Sequence, residues 1–360
     1  MRASRAALLA VLLLAATVGA CSAVAHLRAL QPPTFASYHR LPPPMFRKVQ
    51  APKTQLGIQI DFYTYPNQDV AAVAAAEVAY VKSLHANALT VSFPFFANGP
   101  RSSSVHATNA TPSPAELAVV ASAAEKAGLY FSIRPLLDSA SIGVSRTNWR
   151  PPRLNAWFAS YRRFLMPYAQ MSQKALIPVF ISGAELSEFE ASSRWATLDA
   201  SLRAVFSGTI AYANNWGDQH PQDLEGVQEM RDAYHPVRVS DNASVARLTA
   251  GWKAYDLKLP PGTVLNEVGI AAQPGAYFKP YQVRWPGRPL VPAIQSRWFR
   301  AACNAIAGGR LGGIYFWALG FGQPLNVPPS TADPGSFVDG RGAVAISKCF
   351  MRLGSAAAAG

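Results

Sequence analysis

Two glutamates stand where a carboxylate is costly. Glu185 follows the run Ile181-Ser182-Gly183-Ala184, and Glu267 follows Val264-Leu265-Asn266. Both runs are strand-like and largely apolar, and a carboxylate at the end of a buried strand must be paired or put to use. Two such residues on separate strands suggest a facing pair of carboxyl groups. That pair is the minimal equipment for hydrolysing a glycosidic bond. For Glu185 the plainer alternative is a carboxylate at a helix entry, a role that Glu188 and Glu190 suit better.

Acids are scarce in this chain. Its 360 residues hold 20 Asp and Glu against 33 Lys and Arg, a net charge of +13, so each well-placed carboxylate counts. The basic residues are scattered, with Arg162-Arg163 the densest cluster. A nucleic-acid face would need clustered cations with interleaved aromatics, and none is seen. A solvated basic surface is the simplest account, with adhesion to an anionic envelope or acidic polymer as the alternative. The six histidines make no HExxH pattern, and His235 stands alone before Pro236. No GxSxG and no CxxC occurs. Neither a metal nor an organic cofactor is expected.

The elements that must position the glutamates follow a regular alternation. Strands are expected at Leu56–Asp61, Ala88–Phe93, Leu129–Arg134, Leu176–Ser182, Gly208–Ala213, Val227–Tyr234, Gly262–Glu267 and Gly313–Trp317. Helical patterns lie between them at 69–84, 114–127, 155–173, 194–205, 244–257 and 294–307. The helix starts carry their own signals, such as Asp69 as a cap and Pro114 in a first turn. This alternation predicts one α/β domain, a (β/α)8 TIM barrel over 54–350. A doubly wound sheet would call for a nucleotide-binding glycine fingerprint, and no GxGxxG or GxxxxGK[ST] follows any strand.

The ends of the chain read differently. Arg2 and Arg5 precede an apolar run from Ala6 to Val18, too short to span a bilayer comfortably. Residues 1–20 are therefore expected to be a signal peptide, and Val18-Gly19-Ala20-Cys21 resembles a bacterial lipobox, with Cys21 as the lipidated residue. An ordinary signal peptide or an uncleaved anchor are the alternatives, and all three export the domain. The expected location is the outer face of a bacterial membrane, through a lipid anchor, or otherwise secretion. Residues 21–53 are Pro-rich and read as a linker, and 351–360 as a flexible tail. Cys303 and Cys349 then remain as either a disulfide between the last two helices or two buried thiols.

In a barrel of this kind, chemistry sits at the carboxyl ends of the strands. Asp61, Arg134, Asp138, Glu185, Asn214-Asn215-Trp216, Tyr234-His235, Glu267 and Trp317 all fall there. Carboxylates, amides and aromatics on one rim suit a sugar, which stacks its CH faces on rings and gives its hydroxyls to polar groups.

The motifs in this order resemble the clan-A retaining β-glycosidases, and most nearly glycoside hydrolase family 113, the β-mannanase-like family. The resemblance rests on Tyr80-Val81-Lys82-Ser83-Leu84-His85-Ala86-Asn87-Ala88, Ile133-Arg134-Pro135, Gly183-Ala184-Glu185-Leu186, Asp232-Ala233-Tyr234-His235-Pro236, Asn266-Glu267-Val268-Gly269 and Phe316-Trp317, and runs from about Leu56 to Ala345. It implies Glu185 as general acid/base and Glu267 as nucleophile. It also implies Tyr234 orienting the nucleophile, Arg134 keeping it ionised, Trp317 as a sugar platform, and Asn215 and Trp216 in a neighbouring subsite. The substrate implied is a β-linked poly- or oligosaccharide, with β-mannan the first expectation. The chain departs from many clan-A enzymes in having Ala184, rather than Asn, before the acid/base.

Several of these residues keep a second reading. Arg134 could instead form an ion pair with Asp138 or another rim acid, Asp61 could cap a loop, and Trp317 could be core. The long Pro-rich segment from Gln273 to Pro292, with Tyr277, Tyr281 and Trp285, is either a substrate-binding loop or a packed excursion. A barrel that binds glycan without cleaving it is the main functional alternative, and an inverting hydrolase the second.

Overall fold

The computed structural model describes residues 49–218 and 226–358. The expected signal peptide, Cys21 and the linker up to residue 48 lie outside the described residues.

Among the described residues there are nine strands: β1 (Gln55–Asp61), β2 (Ala88–Ala97), β3 (Val105–His106), β4 (Tyr130–Leu137), β5 (Val179–Ala184), β6 (Thr209–Asn215), β7 (Gln228–Asp232), β8 (Val264–Val268) and β9 (Gly313–Gly320). All but β3 run parallel in one sheet, and β1 pairs with both β2 and β9, which closes the sheet into a barrel. The helices are α1 (Val70–Ser83), α2 (Pro114–Lys126), α3 (Ser139–Ile142), α4 (Leu154–Lys174), α5 (Arg194–Arg203), α6 (Val245–Asp256), α7 (Pro292–Ile306) and α8 (Arg341–Ala358). The expected single-domain (β/α)8 barrel is the observed fold.

Local chemistry explains the helix starts. The Asp69 carboxylate accepts the amides of Ala71 and Ala72 at the head of α1. Ser113 and Glu116 form a reciprocal capping box at α2, with Pro114 in the first turn, where no amide is needed.

Two apolar layers hold the barrel. Between strands and helices lies the main core, with Trp157, Trp195, Trp252 and Trp298 fully buried. Inside the barrel lies a smaller set, including Ala88, Val179, Ile181, Ala211, Met230, Val264 and Tyr315. Gly57 makes room there, because a Cβ on it would fall 2.1 Å from the Tyr315 ring. Towards the carboxyl ends the interior turns polar, with Gln59, Ser92, Arg134, Asp232 and Asn266 all buried.

Some boundaries differ from the sequence reading. β2 and β4 continue through Pro94 and Pro135, past the expected ends at Phe93 and Arg134, and pair as far as Phe95 with Leu137. β3 adds an antiparallel pair to the top of β2. β7 ends at Asp232, so Tyr234 lies two residues beyond its strand rather than closing it. α8 carries on to Ala358, through most of the segment read as a flexible tail. Its apolar residues Ile346, Cys349 and Phe350 are buried, which anchors the helix. Cys303 of α7 and Cys349 of α8 form a disulfide.

Candidate active site

The two glutamates are held in different ways. Glu267 sits on β8, where the pairing with both neighbours shifts register between Leu265 and Val268. Its Oε2 accepts the Tyr234 hydroxyl at 2.7 Å, and its Oε1 accepts Arg134 Nη1. Arg134 rises from β4 with no solvent exposure, and its Nη2 donates to Asp232 Oδ2 at 2.6 Å. A second ring of contacts fixes Arg134. Its Nη1 also reaches Gln59 Oε1 at 3.2 Å, and Gln59 in turn accepts Ser92 Oγ at 2.6 Å. The Gln59 amide donates to the Asn266 carbonyl, next to Glu267 itself.

Glu185 is the first residue past β5. Its backbone φ is +54°, a left-handed conformation that costs a residue with a side chain about 1–3 kcal/mol. Its amide donates to the Ala213 carbonyl at 2.9 Å, which ties it to β6. Its Oε2 accepts Arg146 Nε at 3.0 Å. Arg146 comes from the short turn Arg146–Asn148 between α3 and α4, and its Nη1 donates to the Leu137 carbonyl at 2.9 Å.

Burial sets the electrostatics of this cluster. It raises the Glu185 pKa against the opposing pull of Arg146, and Glu267 adds to the rise. Asp61, at the end of β1, is pushed up to about 7, first by burial and then by Glu267. Burial alone would lower the Arg134 guanidinium, but Asp232 and Glu267 beside it reverse that and hold it above its ordinary value. Burial and then Glu267 hold the Tyr234 hydroxyl well above the usual phenol range, so it remains a donor.

Trp317, half-buried on β9, completes this wall, with the Arg134 guanidinium 5.8 Å from its ring centroid. The peptide bond from Trp317 to Ala318 is cis. Gly269 lies between the two side chains: a Cβ there would come to 3.2 Å from the Tyr234 hydroxyl and 3.5 Å from the Trp317 Cβ.

The structure thus brings Asp61, Arg134, Glu185, Tyr234, Glu267 and Trp317 to one rim. Asn215 closes β6 and Trp216 follows it. The Asn215 amide oxygen accepts the Gly217 amide at 3.4 Å, within its own turn. The Trp216 ring runs parallel to Tyr281 at 6.1 Å between centroids, so the segment after β8 does reach this side of the rim. Within that segment Tyr277 is buried against Trp298, and Gln273 holds Trp285 and Arg288 through backbone bonds, so this part is a packed excursion.

The alternative pairing of Arg134 with Asp138 is not what forms. Asp138 instead accepts the Tyr63 hydroxyl at 2.9 Å and the Ser141 amide at 2.8 Å, capping α3. Glu190 is not a helix-entry carboxylate either. It is 3% exposed, and burial and then Asp218 push its pKa up to about 9. His235 is a core residue stacked on Tyr255 at 4.1 Å, and burial lowers its pKa to about 3.

Sequence reasoning missed Arg146, Asp232 and Gln59 as members of the site. Asp232 had a signal, since it stands two residues before Tyr234 near a strand end. Gln59 is two residues before Asp61, on the same side of β1. Arg146 had none, because the turn that carries it shows no periodicity.

Comparison with known proteins agrees with this geometry. The family model described as Glycoside Hydrolase Family 113 matches residues 64–321. No curated protein matches the sequence. Among solved structures, a family 113 β-mannanase from Alicyclobacillus acidocaldarius shares 20% identity at a TM-score of 0.69, covering 83% of this chain and 98% of the other. A second family 113 β-1,4-mannanase shares 14% identity at a TM-score of 0.69, over 83% of this chain and 99% of that one. At such identities the structural likeness establishes the fold alone. The match of the family model spans Glu185, Glu267 and most of the barrel, and by it this chain belongs to glycoside hydrolase family 113.

Proposed function

We propose that this glycoside hydrolase cleaves a β-linked glycan, β-mannan first, by a two-step retaining mechanism. The reading is carried by the contrast between the two glutamates. Glu267 receives two hydrogen bonds that suit a carboxylate, whereas burial raises the pKa of Glu185 as a general acid requires.

In the first step a Glu267 oxygen attacks the anomeric carbon and the bond to the leaving sugar breaks. The Glu185 proton passes to the departing oxygen. In the second step water attacks the same carbon, Glu185 takes the water proton, and the bond to Glu267 breaks. Trp317 supports the reacting sugar, Asp61 and Arg134 border it, and Trp216 lines a neighbouring subsite beside Asn215. β-Mannan is named because the two family 113 structures above are mannanases.

The test is reducing-sugar release from a panel of β-glycans by the wild type and by folded Glu267→Gln. A loss of more than about 10³-fold, or ~4 kcal/mol in the barrier, is expected. Equal activity in both proteins would remove Glu267 from the mechanism. Release from no glycan by the wild type would favour the non-catalytic binding barrel.

We also propose export through residues 1–20 and lipid anchoring at Cys21, on the basis of the basic, apolar and lipobox-like pattern. In a bacterial host, Cys21→Ser is expected to move the protein from the membrane fraction to a soluble one. An unchanged membrane fraction would point to an uncleaved anchor.

A further inference from the structure

Glu185 has two oxygens and only one of them can hand a proton to a leaving group. The residue before it is Ala184, so no side chain there can steer the carboxyl. Its own backbone is in a left-handed conformation and is tied to the barrel through one amide bond, to Ala213. Its carboxyl is held by Arg146, whose Nε donates to Oε2 at 3.0 Å.

Arginine offers only donors. A proton on Oε2 would point at the Arg146 N–H, so the neutral acid must carry its proton on Oε1. Arg146 is itself fixed. Its Nη1 is spent on the Leu137 carbonyl at 2.9 Å, and its backbone amide on Ser139 Oγ at 3.2 Å. The guanidinium plane is therefore set by the end of β4 and the turn after α3.

We infer that Arg146 is a positioning residue that selects Oε1 of Glu185 as the oxygen bearing and delivering the proton. The inference rests on Glu185 being the general acid. When the proton leaves Oε1 for the glycosidic oxygen, Glu185 becomes an anion. The existing bond from the Arg146 cation to Oε2 then also gains the attraction of opposite charges and becomes an ion pair. Arg146 thus favours the state after proton transfer more than the resting acid. In the second step the same contact makes Glu185 a weaker base, so the gain falls on the first step.

The experiment compares Arg146→Met with the wild type on two substrates. Mannopentaose needs a proton on its leaving oxygen, whereas the dinitrophenolate of 2,4-dinitrophenyl β-mannobioside departs without one. kcat/KM, which reports the first step, is expected to fall roughly tenfold or more on mannopentaose and less than about threefold on the aryl glycoside. Equal losses on both substrates would mean general damage and overturn the inference, as would no loss on either.

Glu185→Ala is the control for the underlying assignment. It should show the same selectivity more strongly, and if it does not, the acid itself has been misassigned. A second readout needs no substrate. The carboxylic-acid infrared band that disappears in Glu185→Gln should persist to higher pH in Arg146→Met than in the wild type, since Arg146 opposes the rise in the Glu185 pKa. An identical midpoint would overturn the contact. Arg146→Lys, which keeps a cation without the planar fork, should hold the midpoint near the wild type but recover only part of the mannopentaose rate. Full recovery would show that charge alone suffices.

Discussion

The wall that carries Glu267 and the loop that carries Glu185 solve the same problem by opposite means. Glu267 is part of a strand, and its two donors come from Arg134, inside the barrel, and Tyr234, just past a neighbouring strand. Around them Gln59, Ser92, Asp232 and Asn266 bond to one another through the barrel interior. Glu185 lies past its strand, in a left-handed backbone, and is steered by one arginine from a turn. The difference fits the roles proposed for the two residues. A nucleophile must hold one line of attack, for which rigid elements are best, whereas an acid/base must change protonation state twice per cycle.

The largest test of that asymmetry separates the two roles. Glu267→Gly and Glu185→Gly should each lose about 10³-fold or more in rate on mannopentaose. Azide should then rescue them differently. Entering the space left by the nucleophile, it gives an α-glycosyl azide with Glu267→Gly. With Glu185→Gly and an activated aryl β-glycoside, it attacks the covalent intermediate and gives a β-azide. The same anomer from both variants would break the assignment.

A smaller effect sharpens the picture of the wall. Tyr234→Phe removes one of the two donors to Glu267 and leaves Arg134 in place, so kcat is expected to fall about 10- to 100-fold with the fold intact. Truncating Arg134 goes further, since it leaves Asp232 and Glu267 both buried without a cation. Arg134→Met is expected to cost stability as well, about 3–5 kcal/mol by chemical denaturation. If Arg134→Met unfolds at the same denaturant concentration as the wild type, the wall is less interdependent than its bonds imply.

The smallest expected effect concerns the loop. An electrostatic tie joins the segment after Glu185 to the segment after β6, because burial and then Asp218 favour a proton on Glu190. Glu190 binds that proton more tightly when folded than its ordinary carboxyl would when unfolded. Its contribution to stability is therefore full below the ordinary value near 4.5 and is lost as pH rises through about 9. Asp61 acts in the same sense up to about 7. Melting temperature should fall from pH 5 to pH 9, and Glu190→Gln, which needs no proton, should reduce that fall by a few degrees. A variant as pH-sensitive as the wild type would show that the tie contributes nothing.

The sequence made this asymmetry only half visible. Strand-type runs, caps and turn glycines led directly to the barrel, because closely spaced strands and helices leave a period in the chain. Glu185, Glu267, Arg134 and Trp317 were legible for the same reason, since each sits at or beside the end of such a run. The extensions of β2 and β4 were hidden because proline reads as a stop, while the neighbouring strand carries the pairing past it. Arg146 was hidden more deeply. Nothing in its local sequence distinguishes it from the scattered surface arginines, and only the return of the chain after α3 brings it to the acid. The pairing of Arg134 with Asp232 rather than Asp138 is likewise a matter of which strand it meets across the barrel interior, not of spacing along the chain.

The closure of the barrel has a further consequence for how the molecule comes into being. β1 lies between β2 and β9, and the first and last strands pair from Gln55 with Gly313 to Asp61 with Gly320, with a register shift after Ile58. Asp61 and Trp317 therefore belong to the two edges of a seam that joins only when the end of the chain arrives. A nascent or truncated chain lacking β9 has an open sheet, with half of β1 unpaired and no aromatic wall beside Arg134. The rim beside Arg134 is in this sense indivisible, since it takes both ends of the barrel to complete it.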